Sequence, residues 1–137
     1  MTRVDFYQIT GSRLNADELV YKLCHKAYDS NQSLLVYTNN AMQTQHLDRF
    51  LWTHDEQAFL PHDQQEVDTL LTPVLINHEA NPMGERELLI NLHDEIPMFF
   101  AQFKRVFELV TDDNKSIARA HYSYYKDRGY ELNHHTL

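Results

Sequence analysis

A chain of 137 residues, 42% hydrophobic and 23% charged, has the size and composition of one globular domain (1–137), able to bury a core without a disulfide or metal staple. Its net charge of −8 disfavours tight DNA binding by the chain alone, because a phosphate backbone attracts a basic excess, and an acidic partner would need a local basic patch. Cys24 has no partner for an internal disulfide, Asp5 interrupts any signal-peptide core, and no apolar run approaches the roughly 20 residues of a membrane span, so a cytoplasmic location is the default expectation.

Val4–Ile9 alternates in part, carries aromatics and reads as a strand, broken by Gly11 and Ser12. Asn15 and Glu18 form a capping-box pattern. Leu19, Val20, Leu23, Cys24 and Ala27 then fall on one helical face, and Asp29-Ser30-Asn31 ends the helix. Ser33–Thr38 is a short apolar run suited to a strand buried on both sides. Asn40 and Gln43 repeat the capping pattern, opening a helix that runs to about His54 with Leu47, Phe50, Leu51 and His54 on one side.

Glu56 to Thr72 shows no periodicity and reads as a long loop. Pro73–Asn77 and Leu88–Leu92 are further short strands, separated by turn signals at Asn81-Pro82 and Gly84. Ile96–Gln102 is compatible with a short helix starting near Pro97. Arg105–Val110 reads as a fifth strand, Asp112 or Asp113 as the cap of a last helix to about Arg128, and Gly129 as the residue just past its end. Alternating strands and helices predict an α/β fold: a three-layer α/β/α arrangement with a mostly parallel sheet of about five strands, Rossmann-like without a nucleotide motif.

Nucleotide binding in such a fold calls for glycines where backbone meets phosphate. The chain has three glycines and neither G-x-G-x-x-G nor a P-loop pattern, so no cofactor is expected. Nine histidines invite a zinc reading, but Pro82 stands where His78-Glu79 would need its second histidine, and His134-His135 falls in a polar tail. Surface histidines, no metal site, and a buried, inert Cys24 are the expectations. No G-x-S-x-G elbow is present and no catalytic residue is assigned. A nucleotide-binding or hydrolytic enzyme of the same layered fold remains the alternative, and thermal stabilisation by nucleotides would distinguish it.

Three features go beyond what folding demands. Trp52 lies off the centre of its helix stripe, where it either covers the rim of the core or serves as an interface anchor. Phe59-Leu60-Pro61-His62 places two large apolar residues in a polar loop, with Pro61 holding Leu60 extended; the loop either buries them in a satellite cluster or presents one outward. Lys115, Arg119, Tyr122 and Lys126 share one face of the last helix, with Ile117, Ala120, His121 and Tyr124 roughly opposite. That basic-aromatic face is either simply solvated or a binding strip in an acidic protein.

These stretches also carry a resemblance. The opening Phe6-Tyr7, Leu51-Trp52 followed by Phe59-Leu60-Pro61-His62, Pro73-Val74, and the terminal Ala118-Arg119, Tyr122, Tyr125, Gly129-Tyr130 and Leu132 are similar, in order and spacing, to the chi-subunit family of bacterial DNA polymerase III. The resemblance covers nearly the whole chain, with a compact stretch between His62 and Pro73 and a short one between Val110 and Arg119. It implies a non-catalytic adaptor of the polymerase holoenzyme. Chi-like proteins pair with the small psi subunit of the clamp loader, bind the acidic C-terminal tail of single-stranded-DNA-binding protein, and in some bacteria join an XPD-like helicase. On this resemblance Trp52, Phe59, Leu60 and Pro61 are expected to form the psi or helicase contact. Arg119, Tyr122, Val110, Lys115 and Lys126 are expected to form the tail site.

Overall fold

The computed structural model describes residues 2–9, 15–53, 62–63, 74–78 and 86–136, with the backbone alone at Trp52, His62 and Asp63. Seven strands among them join one sheet: β1 (Arg3–Gln8), β2 (Leu34–Tyr37), β3 (His62–Asp63), β4 (Val74–Asn77), β5 (Leu88–Asn91), β6 (Arg105–Val110) and β7 (Glu131–Thr136). Their order is β3-β4-β2-β5-β6-β1-β7, and every pairing is parallel. Helices α1 (Ala16–Asp29), α2 (Ala41–Thr53) and α3 (Lys115–Asp127) complete the α/β fold.

All five expected strands are present, and the sheet gains two more. β3 is a two-residue strand inside the stretch read as loop. β7 corrects the reading of His134-His135 as tail: six residues of Glu-Leu-Asn-His-His-Thr pair with β1 along its whole length. An edge strand keeps one side in solvent, so its sequence lacks the apolar run that marked the inner strands.

The two faces of the sheet carry separate cores. Leu34, Val36, Ile76 and Ile90 point toward α1 and α2 and meet Leu19, Val20, Leu23, Leu47 and Leu51. Val4, Phe6, Leu35, Leu89 and Val106 point the other way and meet Phe100, Phe103 and Tyr125. The period of two along each strand therefore builds the expected three layers. All five stripe residues of α1 are buried, as are Leu47 and Leu51 of α2, while Phe50 is half-buried and His54 lies outside the described residues. Cys24 is fully buried, and burial pushes its thiol pKa up, which makes it inert.

The helix ends show the local chemistry. Asn15 Oδ1 accepts the Glu18 N–H at 2.9 Å and Asn40 Oδ1 accepts the Gln43 N–H at 2.8 Å, as the capping patterns required. At α3 the cap is Asn114, not Asp112 or Asp113. Its side chain accepts the Thr111 N–H at 2.7 Å and donates to the Leu109 carbonyl at 2.8 Å, tying the helix start to the end of β6. Gly129 has φ +78°, and Tyr130 N–H and Gly129 N–H donate to the Tyr125 and Lys126 carbonyls, a Schellman ending. The short helix read at 96–102 is only a 3₁₀ turn, Phe100–Gln102.

Asp5, which breaks the first apolar run, has a fully buried side chain. Arg105 Nε donates to it at 3.0 Å, Arg3 at 3.1 Å, and His135 Nε2 lies 3.0 Å away, so three strands are clamped around one carboxylate. Burial raises its pKa, but the bonds from His135, Arg105 and Arg3 and the charge of Arg105 outweigh burial and hold it below the ordinary value. Its stabilising contribution is therefore present above about pH 3.9 and is lost as pH falls through the lower folded value. Asp5→Asn should be less stable than the parent at neutral pH, with the two curves converging as pH falls through the lowered folded value. Denaturation followed by circular dichroism at several pH values would test this; a gap that stays constant into acid would contradict it.

Candidate functional site

The outer face of α3 is where the exposed, chemically distinct side chains collect. The helical repeat puts Lys115, Arg119, Tyr122 and Lys126 on one side, and all four are exposed. Lys115 Nζ lies 3.8 Å from the Asp112 carboxylate, so part of its charge is already met. Arg119 has no ion-pair partner among the described residues. Lys126 sits in the last turn, where a cation also complements the helix dipole.

Tyr122 is 38% exposed and packs edge-on against Phe6 of β1, ring centroids 5.4 Å apart. Val110 ends β6 in register with Gln8 of β1 and is half-buried on the same face of the sheet as Phe6 and Tyr125. Four of the expected site residues thus share one exposed face of α3, and Tyr122 meets β1 at Phe6, while Val110 stands at the end of β6 on the same side of the sheet. Trp52 lies in the last turn of α2, and its side chain is not described. Phe59, Leu60 and Pro61 lie outside the described residues.

The inner face of α3 holds what the sequence reading missed. Ala118, His121 and Tyr125 are buried there, so His121 is no surface histidine. Below it stands Glu108 of β6, only 4% exposed. Its Oε2 accepts from Tyr125 Oη and from Asn91 Nδ2, each at 2.8 Å, and its Oε1 lies 2.9 Å from His121 Nδ1. His121 Nε2 lies 2.8 Å from the Asp94 carbonyl oxygen. Burial alone would lower the His121 pKa, but the hydrogen bond and charge of Glu108, with those of Asp94, raise it above the ordinary value. Tyr125 is pushed up by burial and by the Glu108 charge, so it stays a donor. The one visible signal was Glu108 itself, a carboxylate inside the apolar run Arg105–Val110.

A crevice of about 190 Å³ opens at the carboxyl ends of β5 and β6, where sheets of this type bind ligands; its lining includes Asn91, Asp94, Glu108, Thr111, Asn114 and His121. Two of these residues are carboxylates, and among the described residues no glycine, lysine or arginine lines the crevice. Among the described residues no group of three or more histidine, cysteine or acidic side chains is placed to hold a metal ion.

Fold and site together define a parallel, layered α/β protein whose distinctive surface, among the described residues, is a basic-aromatic helix face. Comparison with known proteins agrees with the residue-level resemblance. Residues 1–133 match the family described as DNA polymerase III chi subunit, HolC. The chain is 35% identical over 140 residues to the DNA polymerase III subunit chi of Pseudomonas aeruginosa, covering 100% of this chain and 98% of that one. The subunits of the same name from Haemophilus influenzae and Escherichia coli are 30% and 27% identical, covering 93% and 85% of this chain and 92% and 82% of their own lengths. The chain belongs to the DNA polymerase III chi-subunit family, whose members are accessory subunits in DNA replication.

Proposed function

We propose that this chi-family protein is a non-catalytic adaptor that joins the clamp loader, through a psi-type subunit, to the acidic C-terminal tail of single-stranded-DNA-binding protein. The observation that carries the reading is Arg119, without an ion-pair partner among the described residues, on the same exposed helix face as Tyr122 in a protein with net charge −8. A tail that ends in acidic residues, a short apolar segment with phenylalanine, and a free carboxylate requires a cation and an apolar slot. Arg119 supplies a planar fork suited to the carboxylate. Tyr122 walls the slot, Val110 floors it, and Lys115 and Lys126 extend the positive strip for the upstream acidic residues.

The second contact, to psi or in some bacteria to an XPD-like helicase, is assigned to Trp52 and Phe59, with Leu60 and Pro61 shaping the loop. Truncating a hot-spot aromatic typically costs about 2 kcal/mol or more, roughly thirtyfold in affinity. The double variant Trp52→Ala, Phe59→Ala should therefore lose co-purification with psi while keeping its circular dichroism spectrum. Loss of the native spectrum would instead make these two residues part of the core. The whole reading is tested by a pull-down from native lysate, which should recover single-stranded-DNA-binding protein and clamp-loader subunits. Recovery of neither would reject it.

A further inference from the structure

Both ring nitrogens of His121 face groups that accept. Nδ1 meets Glu108 Oε1 at 2.9 Å and Nε2 meets the main-chain oxygen of Asp94 at 2.8 Å. A neutral imidazole has one N–H and can satisfy only one of two acceptors; an imidazolium satisfies both. The proton could instead sit on Glu108, with the acid donating to a neutral ring. Oε2 argues against this, because it already takes two donors, Tyr125 Oη and Asn91 Nδ2, and each favours the ionised carboxylate. The titratable groups that face the ring are therefore Glu108 from β6 and Asp94 from the segment after β5, with Tyr125 of its own helix bound to the same Glu108 carboxylate. The His121 side chain is 7% exposed and that of Glu108 5%, so both are largely shielded from bulk solvent and meet it only at the crevice.

We infer that His121 is seated as an imidazolium between Glu108 and the Asp94 carbonyl, and that this ion pair locks α3 onto the sheet so that Arg119 and Tyr122 are held in binding position only while the ring is protonated. The readout through the tail rests on the function proposed above; the lock itself does not. His121 acts as a positioning residue: Arg119 lies across the helix from it, and Tyr122, the next residue, is turned about 100° away and braced on Phe6. With the folded pKa above the ordinary value, the stabilisation is fully present below about pH 6.5 and is lost as pH rises through the folded value. The helix face thus weakens toward alkaline pH.

The test is nitrogen-15 NMR of histidine-labelled protein from pH 6 to 9, with thermal melting and calorimetry against a synthetic acidic, phenylalanine-containing tail peptide over the same range. The expected result is a His121 ring with both nitrogens protonated at pH 6.5, titrating above the ordinary histidine value. Melting temperature and tail affinity should fall together across that titration, the affinity by about fivefold or more. His121→Gln should lose this part of both pH profiles, which separates the lock from the other histidines. A His121 ring that is singly protonated at pH 6.5, or that titrates at or below the ordinary value, overturns the inference. If the variant fails to fold, the parent's ring titration and its melting profile still decide. If the peptide binds the parent at no pH, the functional reading fails, and the lock is judged by the NMR and melting results alone.

Discussion

Arg119→Ala should weaken binding of an acidic tail peptide by more than tenfold, that is, by more than about 1.4 kcal/mol. The guanidinium stands exposed on α3 with no ion-pair partner among the described residues, so its charge is uncommitted. Removing it leaves the incoming terminal carboxylate without a cation, and truncating one partner of such a pair typically costs about 2–5 kcal/mol when the pair is desolvated. Tyr122, braced on Phe6, would still hold the phenylalanine, so binding should not vanish. Arg119→Lys should recover only part of the loss, because an ammonium carries the charge without the two-pronged geometry. Lys115→Ala should mainly flatten the salt dependence, since Asp112 already offsets that lysine and exposed charges are screened. Calorimetry with one synthetic peptide decides all three. Unchanged affinity in Arg119→Ala would place the tail elsewhere.

The second large effect is on stability. Glu108→Ala should lower the folding free energy at pH 6.5 by about 3–5 kcal/mol, the usual cost of deleting one partner of a buried ion pair. Three groups lose an acceptor at once: His121 Nδ1, Asn91 Nδ2 and Tyr125 Oη. For a chain of this length that loss should lower the melting temperature by roughly 10 °C or more. Glu108→Gln should cost less, since an amide oxygen still accepts, although the ionic partner of His121 is gone. Thermal denaturation of the three proteins gives the answer. A drop under about 1 kcal/mol in the alanine variant would mean that water reaches these groups and the network is not closed.

The parts of this molecule that were legible in its sequence are those written in local patterns. Two asparagines followed three residues later by Glu18 and Gln43 announced two helix starts, and the stripe from Leu19 to Ala27 announced which side would be buried. The basic face of α3 was legible for the same reason, since four residues at a helical repeat need no tertiary knowledge. The inner face was not. His121 meets its partners through a carboxylate on β6 and a carbonyl after β5, and nothing along the helix itself states that those acceptors will lie beneath it. β7 was missed because an edge strand with polar residues on both sides has no apolar signature; its place is set by β1, at the far end of the chain. Asp5 was noted only as a break in an apolar run, although its three partners make it the centre of a clamp.

The position of β1 has a consequence for how the protein is made. Among the described strands, the first in chain order lies between the last two, β6 and β7. Helices α1 and α2 and the β4-β2-β5 portion of the sheet can begin to form while the remainder is still being translated, but the slot for β1 exists only once residues 105–136 have emerged. At ordinary elongation rates that delay is on the order of ten seconds. During it Val4 and Phe6, both buried in the finished sheet, have no partner to cover them. Joining two distant ends also carries the loop-closure cost that slows proteins rich in non-local contacts. Insertion of the N-terminal strand is thus expected to be the late, rate-limiting event of folding, and the nascent chain depends most on chaperones in the interval before it.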